Sequence, residues 1–393
     1  MPISLRWGTV TAVTQRLDEL IHCEVDGCPC IAYPRQTGPV EVGDTVIVNT
    51  QARDLELGSG GFDFLHVNLT RGLGLKPTVG SHVMTLPYSP GQAAARHVEE
   101  SDRLAVALGG MPVVCCGLHS QLAPAIAGIG AGRRIAYVQQ AGGALPVAFS
   151  DTVRLLKTRQ LLEKAVAVAP CHDGDAQAVT VASALVWAKT KGFDAVVCAI
   201  GPGIVGTGTE FGHGGLAVAE AANAAAALGG RAIVTVRYSG GDTRERHRGI
   251  SHHTRAALRM ILGSAEIAWP KGLIDQTFRN PVTEVDVDDW RVACAGLPLA
   301  HMGRGAADDP WFFASAFAAG RIASYPRMPT VTSPTCISVA SCALANVRPA
   351  PPCSMPALSR FRSVWRMPVV PWSAAWLLAS ETQSMPASAR PLM

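Results

Sequence analysis

The sequence carries little charge for its length. Only 16% of its 393 residues are charged, and the formal net charge is +4 at pH 7. So small a positive charge gives the protein no general electrostatic attraction for nucleic acid. We therefore expect no nucleic-acid partner, and any site for anions must be a local cluster of cationic residues. Hydrophobic residues make up 48% of the chain, which is enough for a sizeable core and argues against global disorder.

Signals for export or membrane insertion are also missing. The N-terminal stretch MPISLRWGTVTAV has no apolar segment after a basic start, as a secretory signal would have. No uninterrupted run of about 18 apolar residues predicts a membrane span. Eleven cysteines at irregular spacing, without an export signal, indicate free thiols in a reducing compartment. We therefore expect a cytoplasmic protein that has no membrane partner.

Three familiar catalytic motifs do not occur. The sequence has no G-K-[ST], so it lacks the Walker-type phosphate loop, and it has no H-E-x-x-H zinc motif. The stretch G-L-H-S-Q around Ser120 does not match the G-x-S-x-G nucleophile elbow, so Ser120 is better interpreted as the N-cap of the next helix. Any active site must therefore be assembled from separate parts of the chain.

The patterns that are present predict an α/β protein with a preceding barrel. Residues 1–69 contain short strands between turn-forming residues, which is typical of a small antiparallel β-barrel. Prolines and glycines in 70–100 indicate a linker, and a helix is expected over Ala95–Leu108. Residues 101–322 alternate apolar strands with helices, which predicts a mostly parallel sheet with helices on both faces. The strands are expected at 111–117, 134–139, 164–170, 194–200, 231–238 and 266–270.

The last part of the chain has a different composition. Residues 326–393 contain eleven prolines, no lysine, no aspartate and a single glutamate, yet three tryptophans. Disordered tails are normally polar and poor in tryptophan, so this segment is not an ordinary one. We expect 323–393 to be an unstructured tail that arose from coding sequence read out of frame.

Polar or glycine-rich loops follow five of the predicted strands. In open parallel sheets, ligands bind outside the carboxyl ends of the strands, so these loops are expected to line one crevice. Loops that merely turn the chain are the alternative. The ligand-binding candidates in these loops are Ser120, Gly142, Gly143, Gly201, Gly203, Gly206, Thr207, Gly208, Thr209, Asp242, Arg246, Arg248, Ser251, His252 and His253.

The fourth of these loops contains G-x-G-x-x-G from Gly201 to Gly206. A dinucleotide site is disfavoured because the motif follows the fourth strand, the next helix begins only near Gly214, and no acid closes the following strand. Exposed backbone amides before a helix still suit an anionic group. Close packing of backbone on the sheet is the competing interpretation.

The fifth loop, RERHRGISHHT, carries three arginines and three histidines. Ser251 is a good N-cap for a helix that begins near His252, which would place His252 and His253 in the first turn, at the positive end of the helix dipole. Arg246 and Arg248 add forked donors for carboxylate or phosphate. A small anionic ligand is therefore expected here, whereas a solvated cationic loop is the alternative.

Histidines in these loops are the candidates for chemistry. His119, His172 and His247 are proton-transfer candidates because imidazole titrates near neutral pH, and Asp173 is grouped with them. A divalent metal is allowed but not required, with His172, Asp175 and His213 as candidate ligands. No cofactor can be named from these residues.

Several motifs in order resemble a known family. GDTVIVNT, LGSGGFDFLHVNL, GLHSQLAP, GGALPVAFSD, GPGIVGTGTEFG and RHRGISHHT together are similar to the bacterial family of proteins of unknown function numbered 3866. The resemblance covers about 1–322 and ends at MGRGAADDPWFFASAFAAGR, which supports the out-of-frame interpretation of the C-terminal residues beyond it. It implies no reaction and no catalytic residue.

The sequence thus predicts an enzyme, a hydrolase or a transferase, that acts on a small phosphate, nucleotide or carboxylate compound. A non-catalytic sensor or scaffold that binds a metabolite in the same crevice is the alternative. Self-association into a homo-oligomer stays open.

Overall fold

The computed structural model describes residues 3–56, 60–76, 78–101, 103–273, 278 and 280–325. The predicted tail therefore lies outside the described residues from 326 onward. Its expected start at 323 is too early, because a helix over Pro310–Ser324, the last one among the described residues, includes this position.

A closed five-stranded barrel forms the N-terminal part, as predicted. Its strand order is β1-β2-β3-β5-β4, and four of its pairs are antiparallel, whereas β3 and β5 pair in parallel. Alternate residues such as Val10, Val25 and Val48 point into its apolar interior. The elements are β1 (Leu5–Arg16), β2 (Ile21–Val25), β3 (Cys28–Ala32), α1 (Pro34–Thr37), β4 (Thr45–Asn49), α2 (Gln51–Asp54) and β5 (Asp63–Asn68).

The connection to the second part is more ordered than a linker. It holds a hairpin of β6 (Val83–Thr85) and β7 (Ala93–Ala95), followed by the short helix α3 (Val98–Ser101). The helix predicted over Ala95–Leu108 is wrong. The amide of Ala105 donates to Thr190 Oγ1 and that of Leu108 to the Leu228 carbonyl, both at 2.8 Å, so neighbouring helices hold this stretch in an irregular path.

An eight-stranded, all-parallel sheet forms the second part, in the order β11-β10-β9-β12-β8-β13-β16-β17. All six predicted strands are present, and the two edge strands were not predicted. Small two-stranded ribbons, β14 with β15 and β18 with β19, lie outside it. The strands are β8 (Pro112–Cys115), β9 (Ile135–Gln140), β10 (Lys164–Val168), β11 (Ala176–Ala178), β12 (Ala195–Ile200), β13 (Arg231–Val234), β14 (Tyr238–Ser239), β15 (Gly249–Ile250), β16 (Ala265–Pro270), β17 (Val282–Val285), β18 (Ala300–His301) and β19 (Arg304–Gly305).

Helices cover both faces of the sheet, which confirms the predicted fold class. Successive strand residues point to opposite faces: Val114 and Tyr137 join one apolar core, whereas Val113 and Val138 join the other. Residues of α4, α5, α9 and α10 fill the first core, and residues of α3, α6, α7 and α8 fill the second. These helices are α4 (Leu122–Ile129), α5 (Asp151–Thr158), α6 (Val181–Thr190), α7 (Ala217–Ala227), α8 (His252–Met260), α9 (Trp290–Ala293) and α10 (Pro310–Ser324).

Two glycines let α4 and α10 cross in close contact. A Cβ added at Gly320 would lie 1.9 Å from the Ala125 carbonyl oxygen, and one at Gly128 would lie 2.2 Å from the Phe317 carbonyl oxygen. Any larger residue at either position would push the helices apart. The C-terminal helix is thereby fixed against the sheet beneath the polar loops.

Candidate functional site

The loops predicted to line a crevice do share one edge of the sheet. Because all eight strands run parallel, each loop after a strand emerges at the carboxyl edge. Neighbouring loops also contact one another: His119 Nδ1 lies 3.2 Å from the Ile200 carbonyl oxygen, and the Ala144 amide donates to the Pro202 carbonyl at 2.8 Å. The polar residues nevertheless form two separate groups along this edge.

The first group lies beside β10 and faces the barrel. Gln36 Nε2 is 2.8 Å from His172 Nδ1 and 3.3 Å from Asp173 Oδ2, and His172 Nδ1 is 3.1 Å from the same carboxylate oxygen. Asp175 is placed elsewhere, because its carboxylate binds Lys157 Nζ at 2.7 Å and the Ala165 amide at 2.6 Å. The structure therefore brings His172 and Asp173 together and gives Asp175 other partners.

Glycines in the loops after β9 and β12 allow backbone to pack on backbone. A Cβ at Gly143 would lie 2.2 Å from the Gly201 carbonyl oxygen, and one at Gly142 would lie 2.8 Å from Gly214 Cα. At Gly201 it would lie 2.0 Å from the Ala144 carbonyl oxygen. These glycines are therefore explained by packing between the two loops.

The remainder of the loop after β12 extends into solvent. Gly203, Gly206, Thr207, Gly208 and Thr209 are exposed. The hydroxyls of Thr207 and Thr209 are 2.8 Å apart, and the Thr207 amide donates to the Gly212 carbonyl at 2.7 Å. Some of the amides and hydroxyls of this loop therefore form hydrogen bonds within the loop itself.

His119 is half-buried, and both of its ring nitrogens have hydrogen-bond partners. Its Nε2 is 2.7 Å from Ser150 Oγ, which also accepts from the Val153 amide and so caps α5. Since a carbonyl can only accept, Nδ1 carries the proton toward Ile200 and Nε2 accepts from Ser150. Burial lowers the pKa of His119 to about 4, so the ring is neutral near pH 7.

The second group lies beside β13 and contains three buried or half-buried arginines around the buried carboxylate of Asp242. Asp242 accepts from Arg244 Nη2 at 2.8 Å and from Arg304 Nη2 at 3.0 Å, and Arg237 Nη2 lies 3.9 Å from it. Arg304 Nε also lies 3.3 Å from Asp309, whose carboxylate accepts from Ser239. Hydrogen bonds from Arg244 hold the pKa of Asp242 well below its usual range. We call Arg237, Asp242, Arg244, Arg304 and Asp309 the arginine cluster.

Arg237 is the most buried cation of this cluster, with 4% of its side chain exposed. Burial is the main cause that lowers its pKa to about 10. The charges of Arg244, Arg304 and Arg246 act in the same direction, and Asp242 opposes them. Its Nε has no hydrogen-bond partner among the described residues. The arginine cluster thus holds three arginines and two carboxylates, so it carries an excess of positive charge.

Arg246 and Arg248 belong to the loop that continues from Arg244, and we call these two exposed residues the rim. Both are exposed, and neither forms an ion pair with a residue that the structure describes. His247 stands between them in the chain and is buried, with its Nδ1 2.7 Å from Ser251 Oγ. The predicted N-cap is confirmed, because Ser251 Oγ accepts from the His253 amide and α8 begins at His252.

Four histidines meet next to this rim. The rings of His213 and His253 stack with centroids 3.7 Å apart, and His252 lies 4.4 Å from His253 and 4.8 Å from His247. His213 reaches the group from the end of the loop after β12. We call His213, His252 and His253, without His247, the histidine triplet.

Some members of the second group were not predicted. His301 stacks on Phe312 at a centroid distance of 3.8 Å, and its Nδ1 lies 3.3 Å from Ser120 Oγ. Ser120 therefore faces His301. The expectation that Ser120 caps the next helix is wrong, since the side chain of Gln121 accepts from the Gly117 and Leu118 amides instead.

Sequence-based prediction also missed Arg237, Arg304 and Asp309. A signal existed for Arg237, a charged residue that ends an apolar strand.

The distance between the two groups follows from the strand order. β10 and β13 are four strand spacings apart, roughly 19 Å. The metal candidates His172, Asp175 and His213 therefore do not meet. Among the described residues, the only set of three ligand side chains close enough to hold an ion is the histidine triplet.

With this geometry established, comparison with known proteins gives a family. The sequence matches the family described as Protein of unknown function (DUF3866) over residues 29–320. The chain belongs to this family. The match includes both groups of site residues, and no curated protein matches the chain.

A cavity of this DUF3866 protein lies away from both groups. Its volume is about 680 Å³, and it is lined at the amino ends of β13 and β16 by residues such as Asn223, Arg231 and Glu266. Arg231 Nε and Glu266 Oε2 are already paired there at 2.8 Å. Among the described residues of this DUF3866 chain, no helix combines the length and apolar character that crossing a membrane requires.

Proposed function

We propose that this protein is an enzyme that binds a small anion, a phosphate, nucleotide or carboxylate compound, at the carboxyl edge beside β13. The observation that carries the proposal is the pair of exposed arginines, Arg246 and Arg248, which lack ion pairs among the described residues. They follow Arg244 of the arginine cluster in the chain, and the charge of Arg246 acts on Arg237. Guanidinium groups suit carboxylate and phosphate because they donate two parallel hydrogen bonds.

The electrostatics of the arginine cluster support this choice of ligand charge. Burial, together with the charges of Arg237 and Arg304, lowers the pKa of His301 to about 3. The same arginines face Asp242, which is already bound by Arg244 and Arg304. An anion at the rim would offset the remaining positive charge at short range and in a partly desolvated place, where Coulomb interactions are strong.

Among the predicted proton-transfer residues, His247 is best placed to act on such a ligand. It lies between Arg246 and Arg248 in the chain, and Ser251 orients its ring. His119 already uses both nitrogens inside the protein, and His172 with Asp173 faces Gln36 of the barrel. We therefore assign proton transfer to His247 and binding to the two arginines.

A thermal-shift screen with inorganic phosphate, nucleotides and carboxylates tests the binding step. We expect at least one of these anions to raise the melting temperature of the wild type, and the double variant Arg246→Gln, Arg248→Gln to lose the increase. Arg133→Gln is the matched control, because Arg133 is exposed at the opposite edge of the sheet and should leave the increase intact. No increase with any anion, or an unchanged one in the double variant, would refute the proposal.

A non-catalytic sensor that uses the same site is the second candidate. It is favoured by the contact between the barrel and the carboxyl edge, where Gln36 binds His172 and Asp173. Turnover of the bound compound that is lost in His247→Gln would support the enzyme. Saturable binding without turnover, and with a changed protease sensitivity of the barrel, would support the sensor.

We further propose a cytoplasmic location and no nucleic-acid or membrane partner, on the basis of the small net charge and the sequence features described above. Self-association into a homo-oligomer is compatible with this proposal, and sedimentation of the full chain would measure it.

A further inference from the structure

Two histidines of the histidine triplet present lone pairs that nothing in the described part of the protein uses. His213 Nε2 lies 2.9 Å from the Glu210 carbonyl oxygen. Because a carbonyl accepts only, Nε2 must carry the ring proton, and Nδ1 is left with its lone pair. His213 Nδ1 is buried and has no hydrogen-bond partner among the described residues.

The same arrangement recurs at His252 with the ring reversed. Its Nδ1 lies 3.2 Å from the Arg246 carbonyl oxygen and therefore carries the proton. Its Nε2 is buried without a partner among the described residues. A buried acceptor without a partner destabilises the folded protein, so two of them side by side require an explanation.

The fold brings a third imidazole to the same place. His252 and His253 occupy the first turn of α8, and the loop after β12 delivers His213 onto that turn. One ligand atom from each of the three side chains lies within 4.8 Å of the others. Imidazoles on zinc lie about 2.0–2.1 Å from the ion, so donors bound to one ion would be somewhat closer than this upper limit.

We propose that His213, His252 and His253 bind one divalent transition-metal ion of the Zn²⁺ or Co²⁺ class. Metal-bound histidines normally donate their other ring N–H to a carbonyl or carboxylate, which fixes the tautomer, and His213 and His252 both do so. Three imidazoles leave the remaining coordination positions of the ion for water or another small ligand. The metal site does not depend on the anion-binding function proposed above.

His253 must change one contact to take part. Its Nδ1 lies 2.9 Å from Arg237 Nη1 and accepts a hydrogen bond from it. Ligation through this nitrogen replaces that hydrogen bond, and Arg237 still faces Asp242, whose carboxylate is 3.9 Å from Nη2. The nearby cation weakens metal binding, whereas Asp242 and the two carbonyl partners favour it. His213 and His252 each keep one ring nitrogen unprotonated and free to bind an ion, and this is the main argument for a metal.

Titration of the purified full chain with Co²⁺, followed by displacement with Zn²⁺, tests this site. We expect one Co²⁺ per chain, visible d–d absorption typical of nitrogen ligands, and no intense thiolate charge-transfer band that cysteine ligation would produce. His213→Gln and His252→Gln, which keep polar side chains, should each weaken Co²⁺ binding at least 10-fold, since even second-sphere changes cost about 10–100-fold.

His82→Ala is the matched control, because 83% of that side chain is exposed and it binds only Glu100 among the described residues. It should bind Co²⁺ as the wild type does. Circular dichroism of each variant verifies that it is folded, and if His213→Gln is not, His252→Gln alone carries the test. Absence of Co²⁺ binding in the wild type, unchanged binding in His252→Gln, or a thiolate spectrum would overturn the proposal.

Discussion

Replacing Gly143 by alanine tests whether the loops after β9 and β12 are held together by backbone contact. The new Cβ would lie 2.2 Å from the Gly201 carbonyl oxygen and 2.9 Å from that of Pro202. Ordinary contacts are longer, so the loops must separate by roughly 1 Å. This movement stretches the hydrogen bond from the Ala144 amide to Pro202, which is 2.8 Å long in the native structure.

The magnitude follows from these two effects. Overpacking of this kind costs about 1–3 kcal/mol, and a weakened backbone hydrogen bond costs about 1 kcal/mol more. We therefore expect Gly143→Ala to lose about 3 kcal/mol of unfolding free energy and to melt roughly 6–12 °C lower. Urea denaturation followed by circular dichroism measures the first quantity, and calorimetry measures the second.

Gly208→Ala is the matched control for this prediction. Gly208 was predicted to bind ligand just as Gly143 was, but a Cβ there meets no atom within 4 Å. Its substitution should change stability by less than about 0.5 kcal/mol. If Gly143→Ala were as stable as Gly208→Ala, the two loops would not be packed as described and the glycines would need another explanation.

Three further substitutions test other contacts by urea denaturation or calorimetry. Gly320→Ala should lower the melting temperature by more than about 4 °C, because its Cβ would lie 1.9 Å from the Ala125 carbonyl oxygen; an unchanged value would contradict the helix crossing. Gln36→Ala should cost about 1–3 kcal/mol, because it removes the amide that contacts the buried His172 ring and donates to the buried Asp173 carboxylate. His119 is neutral in the folded protein, with a pKa of about 4, but titrates near 6.5 when unfolded. The unfolded state then binds more protons between these values, so His119 should contribute about 3 kcal/mol to the stability that the wild type loses as the pH falls from 6.5 to 4. A loss in His119→Gln as large as that of the wild type would refute this origin.

The sequence patterns located the fold and the edge that carries the polar loops. Near-continuous apolar strands such as residues 164–170 and 194–200 predicted a doubly covered parallel sheet, because only strands buried on both faces tolerate such runs. The edge strands β11 and β17 were missed since they are three and four residues long and partly exposed. The helix expected over Ala95–Leu108 was wrong because backbone contacts to distant helices override local propensity.

The composition of the site was only partly predictable. The Ser251 N-cap and the position of the two histidines in the first turn of α8 could be predicted, because helix capping depends on residues that are neighbours in the sequence. The contacts of Arg304 and Asp309 with residues about 60–70 positions earlier depend on how α10 packs, which no local pattern reports. The division into two groups, roughly 19 Å apart, depends on the strand order, which sequence spacing does not give.

The most direct test of the central claim is an experimentally determined structure of the full chain with bound inorganic phosphate. We expect phosphate density within hydrogen-bonding distance of the Arg246 or Arg248 guanidinium, at the carboxyl edge beside β13. Phosphate bound only at the opposite edge, in the cavity lined by Arg231, would contradict it.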